Sequence, residues 1–153
     1  MRLAARAPSV HNVQPARWRF REDGVVELHR ALERELPVAD PSRRDVRQSL
    51  GAAFEGMALA LSLRGLALGA PAFPAKGAAP ARAGLELVAS ARIEPGGASD
   101  PLAEHLERRR AFRGRFERAS EAEFAALRAH FASAPDVRLV FGTSALDELA
   151  SGL

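Results

Sequence analysis

The sequence contains no cysteine, which excludes disulfides, thiolate metal sites and cysteine nucleophiles together. Its histidines, His11, His29, His105 and His130, never stand at the i, i+4 spacing of a helical zinc pair, so no metal site is expected. Apolar runs are short, and none approaches the roughly 20 residues needed to cross a bilayer. The stretch before Pro8 is too brief for a secretory signal, so the cytoplasm is the expected compartment and no membrane partner is expected. Lysine is almost missing: Lys76 stands alone among arginines. That skew, and not a large excess of charge, lifts the pI to 10.8 while the formal net charge is only +3. A composition heavy in Ala, Arg, Gly and Pro is explained more simply by GC-rich coding than by an electrostatic footprint for nucleic acid.

What is present suits a folded α+β chain. With 153 residues, 47% hydrophobic and 27% charged, it is long enough to bury a core. Residues 1–7 read as the end of a helix stopped by Pro8. Trp18 and Phe20, then Val25-Val26-Glu27-Leu28, split by Asp23-Gly24, predict a β-hairpin. Asp40-Pro41 reads as an N-cap with proline at the first helical position, opening a helix to Gly65. Apolar residues cover most of the circumference of that helix in its second half, which predicts a buried central helix over about 40–65. Residues 67–83, rich in Ala, Pro and Gly, read as a long loop, and 85–89 alternate like a strand. Asp100-Pro101 starts a short helix ending in arginines. Ser120 and Glu123 form a capping box for a helix to about Ser133, Val137–Phe141 reads as a strand, and Thr143 or Ser144 opens a last helix. Both ends look cropped, so a partial fold is expected.

Two stretches carry the chemistry. Ala7-Pro8-Ser9-Val10-His11-Asn12-Val13-Gln14-Pro15 is a polar loop between a helical and a strand-like segment. Its Ser9 hydroxyl and the Asn12 and Gln14 amides supply both donors and acceptors, the groups that read the edge of a flat heterocycle. The same residues near proline also make local turn bonds, so composition leaves both readings open. Arg108-Arg109-Arg110-Ala111-Phe112-Arg113-Gly114-Arg115-Phe116 is an arginine cluster interleaved with aromatics. Guanidinium forks match phosphate oxygens, although a basic helix terminus pairing with Glu104 or Glu107 explains the cluster equally simply. Phosphate contacts of about 1.5–3 kcal/mol each fall short of an association cost of roughly 4–15 kcal/mol, so a buried ring is needed as well. His11 has no carboxylate or nucleophile beside it at a recognisable spacing and reads as structural; no catalytic side chain is assigned.

Together the two stretches resemble motifs of the nitroreductase family of flavoproteins. Pro8-Ser9-Val10-His11-Asn12-Val13-Gln14-Pro15 resembles its P-S-x-x-N-x-Q-P loop, and Arg109-Arg110-Ala111-Phe112-Arg113 with Phe116 resembles its R-x-S-x-R-x-F opening. In ordinary members the arginine motif comes first. The reversed order here is similar to the fused, two-module Acg-type group, whose second module begins with the arginine motif; Asp40-Pro41 followed by Gly51-Ala52-Ala53 also looks like the central helix of that group. On this resemblance residues 1–98 are a first nitroreductase-like module, cropped at its start, and 99–153 the start of a second. The implied fold is a central antiparallel sheet with packed helices. Ala111 departs from the family's Ser/Thr, Trp18 stands displaced from the position after Gln-Pro, and Gly56 sits where relatives often carry Asn.

The resemblance implies FMN as cofactor, with Ser9, Asn12 and Gln14 near the ring and Arg109, Arg110 and Arg113 near the phosphate. It implies an FMN-dependent oxidoreductase that moves reducing equivalents from NAD(P)H to a small nitro-aromatic or quinone acceptor. The cofactor carries that chemistry, which suits a chain with no visible catalytic triad. A homodimer or intramolecular pseudo-dimer is expected, because half a flavin site cannot shield the ring. Two alternatives stay open: a flavin-binding storage protein with little turnover, and a basic module using 108–116 on nucleic acid, against which the lack of a nucleic-acid fold motif counts.

Overall fold

The computed structural model describes residues 2–75, 82–115, 117, 119–134, 137, 139, 140 and 151. The chain forms two compact units, Met1–Ala111 and Phe112–Leu153. Residues 99–111 therefore group with the first unit, whereas the motif resemblance placed 99–153 together.

The first unit is α+β. Strands β1 (Ala16–Phe20), β2 (Val25–Ala31), β3 (Leu66–Leu68) and β4 (Leu85–Pro95) build one antiparallel sheet in the order β1-β2-β4-β3. The predicted hairpin is β1–β2, with Trp18 opposite Leu28 and Gly24 at φ +78° in the turn. Strand β2 is central, and its register against β4 slips between Leu28 and His29. Helix α1 (Arg44–Ser62) lies on one face. Leu28, Val46 and Leu50 form the buried core there, with Ala16, Trp18, Phe54 and Val88 packed around them. On β2 the strand alternation separates Leu28 from Glu27 and His29, which bond each other at 3.0 Å. Arg19 and Arg21 close on Glu27 at 3.6 and 3.5 Å.

Four expectations change. Residues 4–6 form a 3-10 turn instead of an α-helical end. Helix α1 begins at Arg44, not directly after Asp40, because the chain makes an extra turn first and places Arg43 in the left-handed region at the N-cap. Asp40 still caps: its carboxylate accepts from the Val46 N–H at 2.9 Å. Burial would raise the Asp40 pKa, but bonds from the Val46, Asp45 and Arg44 amides and the Ser42 hydroxyl together hold it below the ordinary value. Helix α1 is also less enclosed than its apolar content predicts. Val46, Ser49, Leu50, Ala53, Gly56, Met57 and Ser62 are buried, whereas Leu59, Ala60 and Leu61 are half-buried.

The fourth change lies in the stretch read as loop. Leu66-Ala67-Leu68 pairs with β4, and Ala72 bridges to Ser90, so side-by-side pairing overrides a composition poor in strand formers. Asp100 caps the predicted short helix, a 3-10 turn over Pro101–His105, by accepting from Leu102 N at 2.8 Å. In the second unit, helix α2 (Glu121–Phe131) carries the expected capping box between Ser120 and Glu123. Of the predicted strand, Val137, Leu139 and Val140 are described and adopt no strand conformation, while Arg138, Phe141 and the opening of the last helix lie outside the described residues.

Candidate functional site

The Pro8–Gln14 loop joins the 3-10 turn at Ala4–Arg6 to β1, and helix α1 holds its middle. Ser49 Oγ donates to the Asp45 carbonyl at 2.8 Å, in the manner of helical serines, and accepts from the Val10 N–H at 3.0 Å. Below the loop, Gly56 gives α1 its close approach. A Cβ there would stand 3.5 Å from both the Ala4 carbonyl oxygen and the Ala7 Cβ.

Pinned in this way, the loop adopts an unusual backbone. His11, Asn12 and Gln14 all lie in the left-handed region, at φ 46°, 57° and 50°. Asparagine tolerates that conformation; histidine and glutamine do so at a cost of roughly 1–2 kcal/mol each. The loop's own bonds offset the strain. Asn12 N donates to the Ser9 carbonyl at 2.9 Å, Val13 N to the Val10 carbonyl at 3.0 Å and Gln14 N to Ser9 Oγ at 3.0 Å. The Gln14 side-chain amide donates to Asn12 Oδ1 at 3.0 Å and to Ala7 O and Ser9 Oγ, each at 3.3 Å. Strain of this kind, retained only because neighbours over-determine it, clusters at ligand sites.

The loop borders a cavity of about 470 Å³, lined among others by Ser9, Asn12, Gln14, Arg17, Trp18 and Ser49. That volume lies within the common range for ligand pockets, roughly 300–1,000 Å³. Ser9, Asn12 and Gln14, singled out from sequence, thus share one wall. Arg17 does not point freely into the cavity: it donates to the Gln14 carbonyl at 2.8 Å and the Ala16 carbonyl at 3.0 Å.

The arginine cluster divides. Arg109 reaches back to the turn that precedes the polar loop, where Nε and Nη2 donate to the Arg6 carbonyl oxygen at 3.0 and 2.7 Å. The contact is reciprocated by Arg6 Nη1, 3.5 Å from the Glu107 carbonyl. Arg110 is exposed in the same unit, and Arg113 is exposed in the other. Phe116 lies outside the described residues. The 3-10 turn at Ala4–Arg6 is what Arg109 recognises, through a carbonyl left unbonded at the turn's end.

Sequence reasoning missed Ser49 and the packing role of Gly56. A serine seven residues before a glycine on one helix face was the available signal, since both fall on the same side at helical spacing. Among the described residues, no group of three or more His, Asp or Glu side chains is arranged to hold a metal ion. No described helix is long and apolar enough to cross a membrane.

No known family's profile matches the chain. Two Mycobacterium tuberculosis proteins are similar to part of it. One, named "Putative NAD(P)H nitroreductase acg", is 36% identical over 74 residues, 48% of this chain and 22% of that protein. The other, also named "Putative NAD(P)H nitroreductase", is 40% identical over 63 residues, 41% of this chain and 18% of its own length. The matched stretches thus span about a fifth of the relatives' length. Over up to half of its residues the chain is a distant relative of proteins named NAD(P)H nitroreductases, which supports the nitroreductase family as its kinship.

Proposed function

We propose that this chain forms part of an FMN-dependent oxidoreductase of the nitroreductase type, taking reducing equivalents from NAD(P)H and passing them to a small nitro-aromatic or quinone acceptor. The observation that carries the reading is the strained loop in which Ser9, Asn12 and Gln14 present hydrogen-bonding groups along a cavity of about 470 Å³. Its donor set fits a flat heteroaromatic ring with carbonyl and N–H groups on one edge. The relatives, named NAD(P)H nitroreductases, suggest the donor, NAD(P)H, and the reaction class.

In this reading Ser9 and Asn12 hold the ring edge, with Trp18 as an apolar wall. Arg109, already held against the Ala4–Arg6 turn that leads into the loop, turns its Nη1 toward the phosphate end, and Arg110 adds charge there. FMN, when bound, supplies the hydride chemistry, and the protein supplies placement and electrostatics. A ring held along one edge needs further shielding from water, so in this reading the rest of the enclosure comes from a second module or a second copy. The two-module arrangement and the homodimer are both proposals of this reading.

Fluorescence titration of FMN into the protein tests it, followed by NAD(P)H oxidation with a quinone acceptor. Saturable quenching that weakens about tenfold or more in Asn12→Ala, with oxidation above free-flavin background, is the expected result. Quenching without turnover identifies a flavin store and overturns the enzymatic part. No saturable binding, either in this chain or in a longer protein containing it, overturns the cofactor.

A further inference from the structure

We infer that Gln14 is a positioning residue, whose side-chain amide takes its direction from the Ala7 carbonyl and passes it to Ser9 and Asn12. The inference depends on the flavin reading only for the identity of the ligand; the hydrogen-bond directions stand apart from it.

The Ala7 carbonyl oxygen has no choice of role. A backbone carbonyl oxygen can only accept, so the Gln14 atom 3.3 Å from Ala7 O must be the amide nitrogen. The same nitrogen lies 3.0 Å from the Asn12 side chain, which must therefore present its oxygen. Asn12, exposed to solvent, is left with its NH2 group facing outward.

Ser9 follows in the same way. Its Oγ receives the Gln14 backbone N–H at 3.0 Å and the Gln14 side-chain N–H at 3.3 Å. Both lone pairs are engaged, so the hydroxyl proton remains to be donated. Two amide protons serve three oxygens: the two 3.3 Å contacts share one, and the shorter bond to Asn12 takes the other.

What the loop offers a ligand is consequently two donors, the Ser9 hydroxyl and the Asn12 amide, and one acceptor, Gln14 Oε1. The complement is an edge that accepts through carbonyl oxygens and donates through a ring N–H, as a cyclic imide does. A loop with the amides turned the other way would prefer the opposite pattern. Ser9, Asn12 and Gln14 line the same cavity, and Ser49 anchors the left-handed turn at His11 and Asn12 through Val10.

Side-chain amide hydrogen exchange of the ligand-free 153-residue protein, followed by NMR, tests the directions directly. The Gln14 NH2 protons are expected to be protected and those of Asn12 to exchange at the rate of a free amide. Protection at Asn12 with free exchange at Gln14 overturns the inference. The second arm uses FMN and its N3-methylated analogue, in which the ring N–H is blocked. The wild-type chain is expected to prefer FMN by about tenfold, the loss of one buried hydrogen bond, and Gln14→Glu to lose that preference together with the order of the loop. Equal binding of the two by the wild type overturns the acceptor role of Gln14. Binding of neither defeats the flavin reading, and the exchange pattern, measured without ligand and without mutation, still decides the inference.

Discussion

Ser49 of the long helix holds the backbone N–H of Val10 at 3.0 Å, across 39 residues of sequence. This one bond couples the helix that forms the core to the loop that carries the candidate site. Leu50, its neighbour in sequence, packs into the core against Leu28 and Val46. Loop position is thereby referred to the buried core of the first unit.

Replacing Ser49 with alanine removes the acceptor and leaves the half-buried Val10 N–H without its partner. The loss of about 1–3 kcal/mol is partly offset by the better helix propensity of alanine, roughly 0.5 kcal/mol. Urea unfolding should show a net destabilisation near 1 kcal/mol, and amide exchange at Val10 should quicken more than at core amides. An unchanged Val10 exchange rate would contradict the anchoring role.

Asp40 sets an acid-dependent contribution to stability. Its carboxyl is held below the ordinary value despite burial, by three helix-start amides and the Ser42 hydroxyl. A group depressed in the folded state stabilises fully above its unfolded pKa, near 3.8, and the contribution is lost as pH falls through the folded value. In Asp40→Asn the stability of the first unit should fall at neutral pH and lose part of its decline below about pH 4. Chemical denaturation at pH 7 and at pH 3 measures both; parallel acid limbs in the two proteins would refute the assignment.

Gly56 should tolerate one methyl group and nothing larger. An added Cβ meets Ala4 O and Ala7 Cβ at 3.5 Å, ordinary contact distance. Gly56→Ala should therefore stabilise α1, by up to roughly 1 kcal/mol. Gly56→Leu must displace the Ala4–Arg6 turn and cost about 1–3 kcal/mol. Because that turn also supplies the carbonyl bound by Arg109, the leucine variant should loosen the 99–111 segment, read as faster proteolysis there. Equal thermal stability of the two variants would show that the approach is not close.

Local chemistry was readable where a few adjacent residues decide the outcome. Asp23-Gly24 between two apolar runs specified the hairpin, because a positive φ at Gly24 costs little. Ser120 and Glu123 specified a capped helix, because both bonds close within one turn. Ser9, Asn12 and Gln14 were recognisable as a polar set because they stand within six positions of one another.

Pairings between distant segments had no such local signature. Leu66-Ala67-Leu68 became a strand only because Ile93, Glu94 and Pro95 lay alongside it. Arg109 met Arg6, and Ser49 met Val10, through the folding of chain segments whose separation no motif encodes. The left-handed backbone at His11, Asn12 and Gln14 belongs to the same class. Residue type alone disfavours it at His11 and Gln14, and only the assembled bonds to Ala7, Ser9 and Ser49 make it the lowest available state. Amino-acid order thus settled which groups the loop carries, while the packed fold settled which way each of them points.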